Sequence, residues 1–380
     1  AASDVYKRQA IDKAKLLADV VIGLGHLGVD PSSSPWTSEE VIAHTSGFDA
    51  FIDGHSHTVM ENKQVQDASG KAVTLTQTGS YFANVGEMTI AADGTITTKL
   101  IPTHEGMDAG IAAMQTGWVN TVDDMLGEKI AVGDSDFYVS DPATGKRRIR
   151  SAETNLGDFV ADGIYTYFNE VEKLHCDVAI MNGGGIRADV PAGDWTFKTC
   201  KQVSPFGNVA CLMSVTGKQI QDALEFAARF AGEDGKENGG FLQVAGATYE
   251  IHTDIPNTVQ TDEKNVWIGS ATGTPRVQNV KIYDKASGSY LPLDPGATYA
   301  LAGMNYTLRN LGDGFAMFDG AELIKDYVSE DYLVMSTYAM TFDGADAAGL
   351  PHLSSANSPL AAYPGYLLNY EQPYGAGRIT

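Results

Sequence analysis

The pattern of hydrophobic and polar positions predicts an α/β chain in which helices and strands alternate. Short apolar runs over residues 19–22 and 48–52 predict buried strands, and period-two alternation over residues 73–78 and 85–90 predicts half-buried ones. The Asp93-Gly94 pair predicts a hairpin turn into a further strand. The remaining predictions are strands at 95–101, 129–132, 178–181 and 299–302 and helices at 10–17, 153–168 and 220–230.

A longer helix is predicted over residues 106–126. Its apolar residues recur at three- and four-residue steps, so they share one face, which we expect to pack into a core. They are Ile111, Met114, Trp118, Val122 and Met125. Because 380 residues exceed the usual size of one domain, we expect this helix to bridge two domains.

The composition excludes several classes of protein. A net charge of −22 and a pI near 4.6 argue against binding to a nucleic acid polymer or an anionic membrane surface. No apolar run of about 18 residues occurs, so we predict no transmembrane segment. Cys176, Cys200 and Cys211 are odd in number and lack Cys-x-x-Cys spacing, which favours buried free thiols over disulfides or structural zinc.

The first nine residues have an unusual composition. They begin without Met, and residues 4–9 look like a translated sequencing adapter. We therefore interpret residues 1–9 as a non-native scar that contributes nothing to the fold, and we expect a signal peptide to lie outside this chain.

Histidines follow two of the predicted strands. His26 comes after the first strand, and His55 and His57 come after the second. Open α/β sheets place their sites at the carboxyl ends of strands, and imidazole is a common ligand of zinc, iron and manganese. A single histidine is more often structural, but three at two strand ends favour a metal site.

A glycine-rich turn delivers an arginine at residues 182–187, where the sequence is Asn-Gly-Gly-Gly-Ile-Arg. Glycines allow positive φ and close backbone approach, and the Arg187 guanidinium can bind a phosphate or carboxylate through two donors. On its own, the motif fits a plain turn as well as an anion site. Arg150 precedes the helix predicted from residue 153, so the two cations could converge on one ligand.

Aromatic residues in two predicted loops suggest a second part of the ligand. Phe206 lies in the Ser-Pro-Phe-Gly-Asn turn that ends at Asn208, and Tyr306 precedes Asp313 in another permissive turn. Either aromatic residue alone means little. Together they would suit a nucleoside, because a base can stack on the rings while a carboxylate holds the ribose hydroxyls.

With these motifs in this order, the chain resembles the 5′-nucleotidase family of two-domain metallophosphatases. The resemblance runs from about residue 10 to the Gly-Arg-Ile ending at residues 377–379. It is carried by Gly-His-Ser-His-Thr at 54–58, Glu-Thr-Asn-Leu-Gly at 153–157, Asn-Gly-Gly-Gly-Ile-Arg at 182–187, Pro-Phe-Gly-Asn at 205–208, Gly-Phe-Leu-Gln-Val at 240–244 and Gly-Asp-Gly-Phe at 312–315.

The resemblance implies a fold and a domain organisation. Residues 10–104 would be the C-terminal part of a metallophosphoesterase domain, an incomplete αββα sandwich. Residues 105–128 would be a linker helix, and residues 129–380 a complete α/β C-terminal domain that binds the nucleotide. Relatives of this kind are mostly extracellular, cell-surface or periplasmic.

The resemblance also implies residue roles. The metal ligands His26, His55 and His57 would serve a centre of two divalent ions such as zinc or manganese. Tyr306 lies one residue farther from Asp313 than the family spacing. The substrate-binding residues would be Arg150, Asn182, Arg187, Phe206, Asn208, Tyr306 and Asp313.

One departure from the family bears on activity. The early Asp-x-His, Gly-Asp and Gly-Asn-His-Glu motifs, which supply the other metal ligands and a catalytic histidine, have no counterpart before His26. We therefore expect the parent protein to hydrolyse nucleoside 5′-monophosphates through a two-metal-activated water, and this chain to be an inactive fragment. The alternatives are a 2′,3′-cyclic nucleotide or nucleotide-sugar phosphohydrolase, and a non-catalytic nucleotide- or nucleoside-binding module.

Overall fold

The computed structural model describes residues 2–103, 106–233 and 235–380, so the predicted domain boundary at residues 104 and 105 lies outside the described residues. The chain divides into two compact units, Ala1–Ile111 and Ala112–Thr380. None of the helices described is both long and apolar enough to cross a membrane.

The first unit contains a small mixed sheet. Strands β1, β2 and β4 run parallel in that order, β3 pairs antiparallel with β4, and β5 and β6 form a separate hairpin. Helix α2 begins at a capping box in which Thr37 and Glu40 satisfy each other's backbone N–H groups. The elements are α1 (Ala2–Lys15), β1 (Ile22–Leu24), α2 (Ser38–Ala43), β2 (Ala50–Asp53), β3 (Val59–Gln66), β4 (Ala72–Thr78), β5 (Asn84–Ile90) and β6 (Ile96–Pro102).

Two features of this unit differ from the sequence predictions. Helix α1 begins at Ala2, so residues interpreted as a scar continue into the helix. Strand β3 has no counterpart among the predicted strands, because most of its side chains are exposed and its polar Glu-Asn-Lys-Gln stretch gives no alternating apolar pattern.

Helix α3 (Ala109–Leu126) forms as predicted, but its apolar face does not pack into a core. None of its residues is buried in the described structure, and Trp118 and Met125 are 65% and 72% exposed. The prediction of core packing is therefore wrong for this helix. A 3.6-residue period identifies the apolar face of a helix but does not specify what covers it.

The second unit is built on a five-stranded sheet of order β11-β8-β17-β10-β18, in which β8 and β17 are parallel and the other neighbours antiparallel. One smaller sheet joins β12, β15 and β16, another joins β13 and β14, and a further one joins β19, β7 and β9. The strands are β7 (Lys129–Gly133), β8 (Val178–Asn182), β9 (Gly193–Thr196), β10 (Ala210–Thr216), β11 (Leu242–Ala245), β12 (Ala247–Ile251), β13 (Gln260–Thr261), β14 (Trp267–Gly269), β15 (Val277–Asp284), β16 (Ser289–Pro292), β17 (Thr298–Met304), β18 (Glu322–Lys325) and β19 (His352–Leu353).

Strand β8 of the central sheet is buried on both faces, whereas the edge strand β18 is exposed. In β8, Ala179 and Met181 join the cluster formed with α4 (Asn155–Thr166) and α8 (Asp331–Ala339). Val178 and Ile180, on the opposite face, join the cluster formed with α6 (Gly217–Ala227). The three cysteines are free and buried, as predicted. The helices are α4 (Asn155–Thr166), α5 (Phe197–Val203), α6 (Gly217–Ala227), α7 (Asn305–Leu308) and α8 (Asp331–Ala339).

A buried arginine fixes the last residues of the chain to α4. Arg378 is fully buried, and its Nη2 donates a hydrogen bond to Asp162 Oδ2 at 2.8 Å. The Tyr366 and Tyr370 hydroxyls donate to the same carboxylate, each at 2.7 Å. The Asp162 charge is thus compensated by one cation and two hydroxyls, as a buried charge requires.

Candidate functional site

The glycine-rich turn lies at the carboxyl end of β8, in the centre of the second unit. Residues Gly183–Gly185 form a single 3-10 turn after Asn182, and none of the three glycines has positive φ. Gly183 is required by close approach instead, because a Cβ there would lie 2.3 Å from the Ile149 carbonyl oxygen. Of the two properties that glycine offers here, the turn uses close backbone approach and not positive φ, and it packs against the loop that carries Arg150.

Asp313 is held at this turn by two donors. Asn182 Nδ2 donates to Asp313 Oδ2 at 3.1 Å, and the Tyr306 hydroxyl donates to Oδ1 at 3.0 Å. The turn that carries the carboxylate is irregular, since Leu311 and Asp313 both have φ of 55°. Three of the predicted site residues are thereby brought into direct contact.

The Tyr306 ring lies against the backbone of this same turn. A Cβ on Gly312 would meet the ring at 2.5 Å, so only glycine allows the ring to lie there. Burial and the neighbouring Asp313 carboxylate raise the pKa of the Tyr306 hydroxyl, so it is a neutral donor at physiological pH.

Arg150 lies on the other side of the glycine-rich turn. A Cβ on Gly183 would be 3.3 Å from the Arg150 Cα, so the two backbones touch. Burial and the positive charges of Arg147 and Arg187 lower the pKa of Arg150 to about 10, which still leaves it protonated at neutral pH. The Glu237 and Asp313 carboxylates act on Arg150 in the opposite direction, and an anion bound beside Arg150 and Arg187 would further relieve the repulsion between the two cations.

Arg187 and Phe206 complete the set. The guanidinium carbon of Arg187 lies 5.6 Å from the centre of the Phe206 ring, within reach of a cation–π interaction, and its Nη1 donates to Gly184 O at 3.3 Å. Phe206 is 57% exposed, which leaves its ring available to stack on a ligand. The Asn208 backbone is fixed by paired hydrogen bonds with Asp331.

The loop before α4 is positioned by a residue that is not among the predicted site residues. Gln243, on β11, is completely buried, and its Nε2 donates to the carbonyl oxygens of Ile149 (3.0 Å) and Ala152 (2.9 Å). These two carbonyls flank Arg150 in the chain. The only available signal was its place in the Gly-Phe-Leu-Gln-Val motif, which gives no indication of this contact.

We expect Gln243→Leu to lower the free energy of unfolding by about 1–3 kcal/mol, because it leaves both carbonyl oxygens buried without a donor. Urea unfolding of the full chain measures the change. Gln202→Leu, at an exposed position on α5, is the matched control and should change stability by less than about 0.5 kcal/mol. Equal effects of the two substitutions would refute the role given to Gln243.

Two loops of the first unit bring His26 and His55 together. β1 and β2 are parallel, and the rings that follow them lie 5.2 Å apart, edge to face. The Asp53 carboxylate ties the loops together by accepting hydrogen bonds from the backbone N–H groups of Leu27 (2.9 Å) and Gly28 (3.0 Å). The two histidines that follow these adjacent strands therefore lie side by side.

His57 points to a different neighbour. Its ring lies 6.3 Å from that of Tyr81, and its backbone has φ of 55°. Within residues 2–103, 106–233 and 235–380, no group of three or more His, Cys, Asp or Glu side chains is arranged to hold a metal ion. The described residues therefore do not by themselves fit a metal centre.

Known proteins are similar in sequence to this chain over most of its length. A family model described as "5′-nucleotidase, C-terminal domain" matches residues 131–320, half of the chain. The chain is 30% identical over 328 residues to the trifunctional nucleotide phosphoesterase protein YfkN of Bacillus subtilis, which covers 83% of this chain and 20% of that protein. It is 26% identical over 358 residues to the 5′-nucleotidase of Homo sapiens, covering 86% of this chain and 57% of that protein.

Solved structures agree on the fold. The crystal structure of a 5′-nucleotidase precursor from Thermus thermophilus superposes with a TM-score of 0.64 at 22% identity, over 92% of this chain and 67% of that one. The mixed α/β fold is therefore shared with 5′-nucleotidase structures. The chain spans between about a fifth and three fifths of the length of the curated relatives described above.

Proposed function

The chain belongs to the 5′-nucleotidase family of phosphoric ester hydrolases, and from that premise we propose that its second unit binds nucleoside 5′-monophosphates at the glycine-rich turn. The observation that carries the proposal is the convergence on this turn of two arginines, an exposed aromatic ring and a fixed carboxylate. The arginines would bind the phosphate, the aromatic ring would stack on the base, and the carboxylate would bind the ribose.

Arg150 and Arg187 would bind the phosphate. Burial and then the charges of Arg147 and Arg187 lower the pKa of Arg150, and a phosphate placed between Arg150 and Arg187 would offset the repulsion between these two. A chain with a net charge of −22 repels anions at long range, so such a local pair is what would retain an anionic ligand.

Phe206 and Tyr306 would contact the base, and Asp313 the ribose. Phe206 exposes its ring, and Asp313 is held by Asn182 and Tyr306 before any ligand arrives. A preorganised site of this kind loses little side-chain entropy on binding. Asn208, whose backbone is fixed beside Phe206, would contribute its side chain to the same clamp.

Hydrolysis places a further requirement on the protein. In two-metal phosphoesterases the ions polarise the phosphate and lower the pKa of the attacking water. His26, His55 and His57 would contribute to such a centre, but the described residues do not assemble one. We therefore propose that this chain binds nucleotide without turning it over, as a nucleotide-binding module.

Calorimetry and a phosphate assay on the same sample test both parts. AMP should bind saturably to the full chain, and no inorganic phosphate should be released with Mn²⁺ or Zn²⁺ added. Absence of saturable binding by AMP, GMP, CMP and UMP would refute the pocket. Turnover would instead refute the assignment of this chain as a binding module and leave the pocket in place.

We expect Phe206→Ala to weaken nucleotide binding by about 5–100-fold, since stacking of one base on an aromatic ring contributes roughly 1–3 kcal/mol. Titration calorimetry measures the change. Tyr327→Ala removes another exposed aromatic side chain and should leave the affinity within about twofold of the wild type, a difference of no more than about 0.4 kcal/mol. Unchanged affinity in Phe206→Ala would remove this ring from the clamp.

A further inference from the structure

One hydrogen bond joins the base-contacting ring and the ribose-binding carboxylate of the proposed nucleoside site. The Tyr306 hydroxyl donates to Asp313 Oδ1 at 3.0 Å while its ring lies against Gly312. A phenylalanine could stack on a base equally well but would leave this carboxylate oxygen without its donor. Stacking therefore does not require the Tyr306 hydroxyl, whose specific partner is the Asp313 carboxylate.

The hydrogen bonds of Asp313 determine what it can still accept. An ionised carboxylate has about four lone-pair positions. Asn182 Nδ2 and the Tyr306 hydroxyl each take one, on different oxygens. Each oxygen therefore keeps an accepting position, and the neighbouring hydroxyls of a ribose are a matching pair of donors.

The backbone at Asp313 explains why such support matters. Leu311 and Asp313 both adopt φ of 55°, a conformation that costs about 1 kcal/mol or more for residues other than glycine. Side-chain bonds from Tyr306 and Asn182 hold the carboxylate in one orientation on this strained turn. Without the hydroxyl, the carboxylate can rotate away from the direction in which it meets the sugar.

We propose that Tyr306 is a positioning residue that selects for ribose, because its hydroxyl orients Asp313 toward the 2′- and 3′-hydroxyls. This inference rests on the proposed function. The stacking ring and the sugar-binding carboxylate then act as one unit. The pocket favours ribonucleotides over sugars that lack these hydroxyls.

Tyr306→Phe tests the inference, because it keeps the ring and removes only the hydroxyl. The ligands are the tightest-binding of AMP, GMP, CMP and UMP and its 2′,3′-dideoxy counterpart, titrated with EDTA present. We expect the variant to bind the ribonucleotide about 3–10-fold more weakly and the dideoxynucleotide within twofold of wild type. In an Asp313→Asn background, Tyr306→Phe should have no further effect on ribonucleotide binding.

The outcomes separate the inference from the proposed function. If wild type binds none of the nucleotides, both are overturned. If wild type binds and Tyr306→Phe weakens both ligands equally, or neither, only the role of the hydroxyl is overturned. Tyr327→Phe, which removes a hydroxyl from an exposed ring beside Arg309, is the matched control and should leave both affinities unchanged.

Discussion

Arg378→Met is expected to lower the free energy of unfolding by about 3–5 kcal/mol, because it leaves Asp162 as a buried charge without its cation. Both side chains are fully inaccessible to solvent, so water cannot replace the lost partner. The substitution also removes the donors to Leu367 O and Val244 O. Urea unfolding followed by tryptophan fluorescence and far-UV circular dichroism measures the loss.

Arg309→Met is the matched control for this prediction. Arg309 pairs with Asp326 at 2.6 Å, but the two side chains are 42% and 23% exposed. Exposed pairs contribute about 1 kcal/mol or less, so the control should change stability little. Comparable losses in the two variants would show that the buried network is not what anchors the C-terminal residues to α4.

Arg187→Ala is expected to weaken AMP binding by about 10–100-fold, because hydrogen bonds to a charged group contribute about 1.5–3 kcal/mol. The affinity for adenosine, which lacks the phosphate, should fall less than the affinity for AMP. Calorimetric titration of the full chain with both ligands measures the difference between them.

Lys281→Ala controls for the loss of one positive charge. Lys281 lies exposed on β15 and makes no part of the proposed pocket. It should leave the AMP affinity within about twofold of wild type, since the attraction between an exposed charge and a ligand that it does not contact is screened by salt. An equal loss of AMP and adenosine affinity in Arg187→Ala would assign this arginine to the nucleoside instead of the phosphate.

Much of the second unit follows from its sequence. The strand 178–181, the helices opening near residues 153 and 220 and the buried thiols all form as predicted, because their apolar patterns reflect burial in the core. The exposure of the apolar face of α3 and the existence of the polar strand β3 could not be predicted in the same way. Periodicity identifies an element but gives no information about which neighbours cover it.

For the candidate site, the family resemblance proposed the residues but gave no geometry. It proposed Asn182, Tyr306 and Asp313 as substrate-binding residues, and the structure shows that these three side chains are in contact. Sequence could not show that Gly183 is needed for close packing against Ile149, or that Gln243 on β11 holds the loop of Arg150. Both depend on contacts between residues far apart in the chain.

A crystal structure of the full chain with AMP bound would show where the nucleotide lies. We expect the phosphate between Arg150 and Arg187, the base against Phe206 and the ribose hydroxyls within hydrogen-bond distance of Asp313. AMP bound away from the glycine-rich turn, or bound there with its phosphate remote from both arginines, would contradict the proposed site.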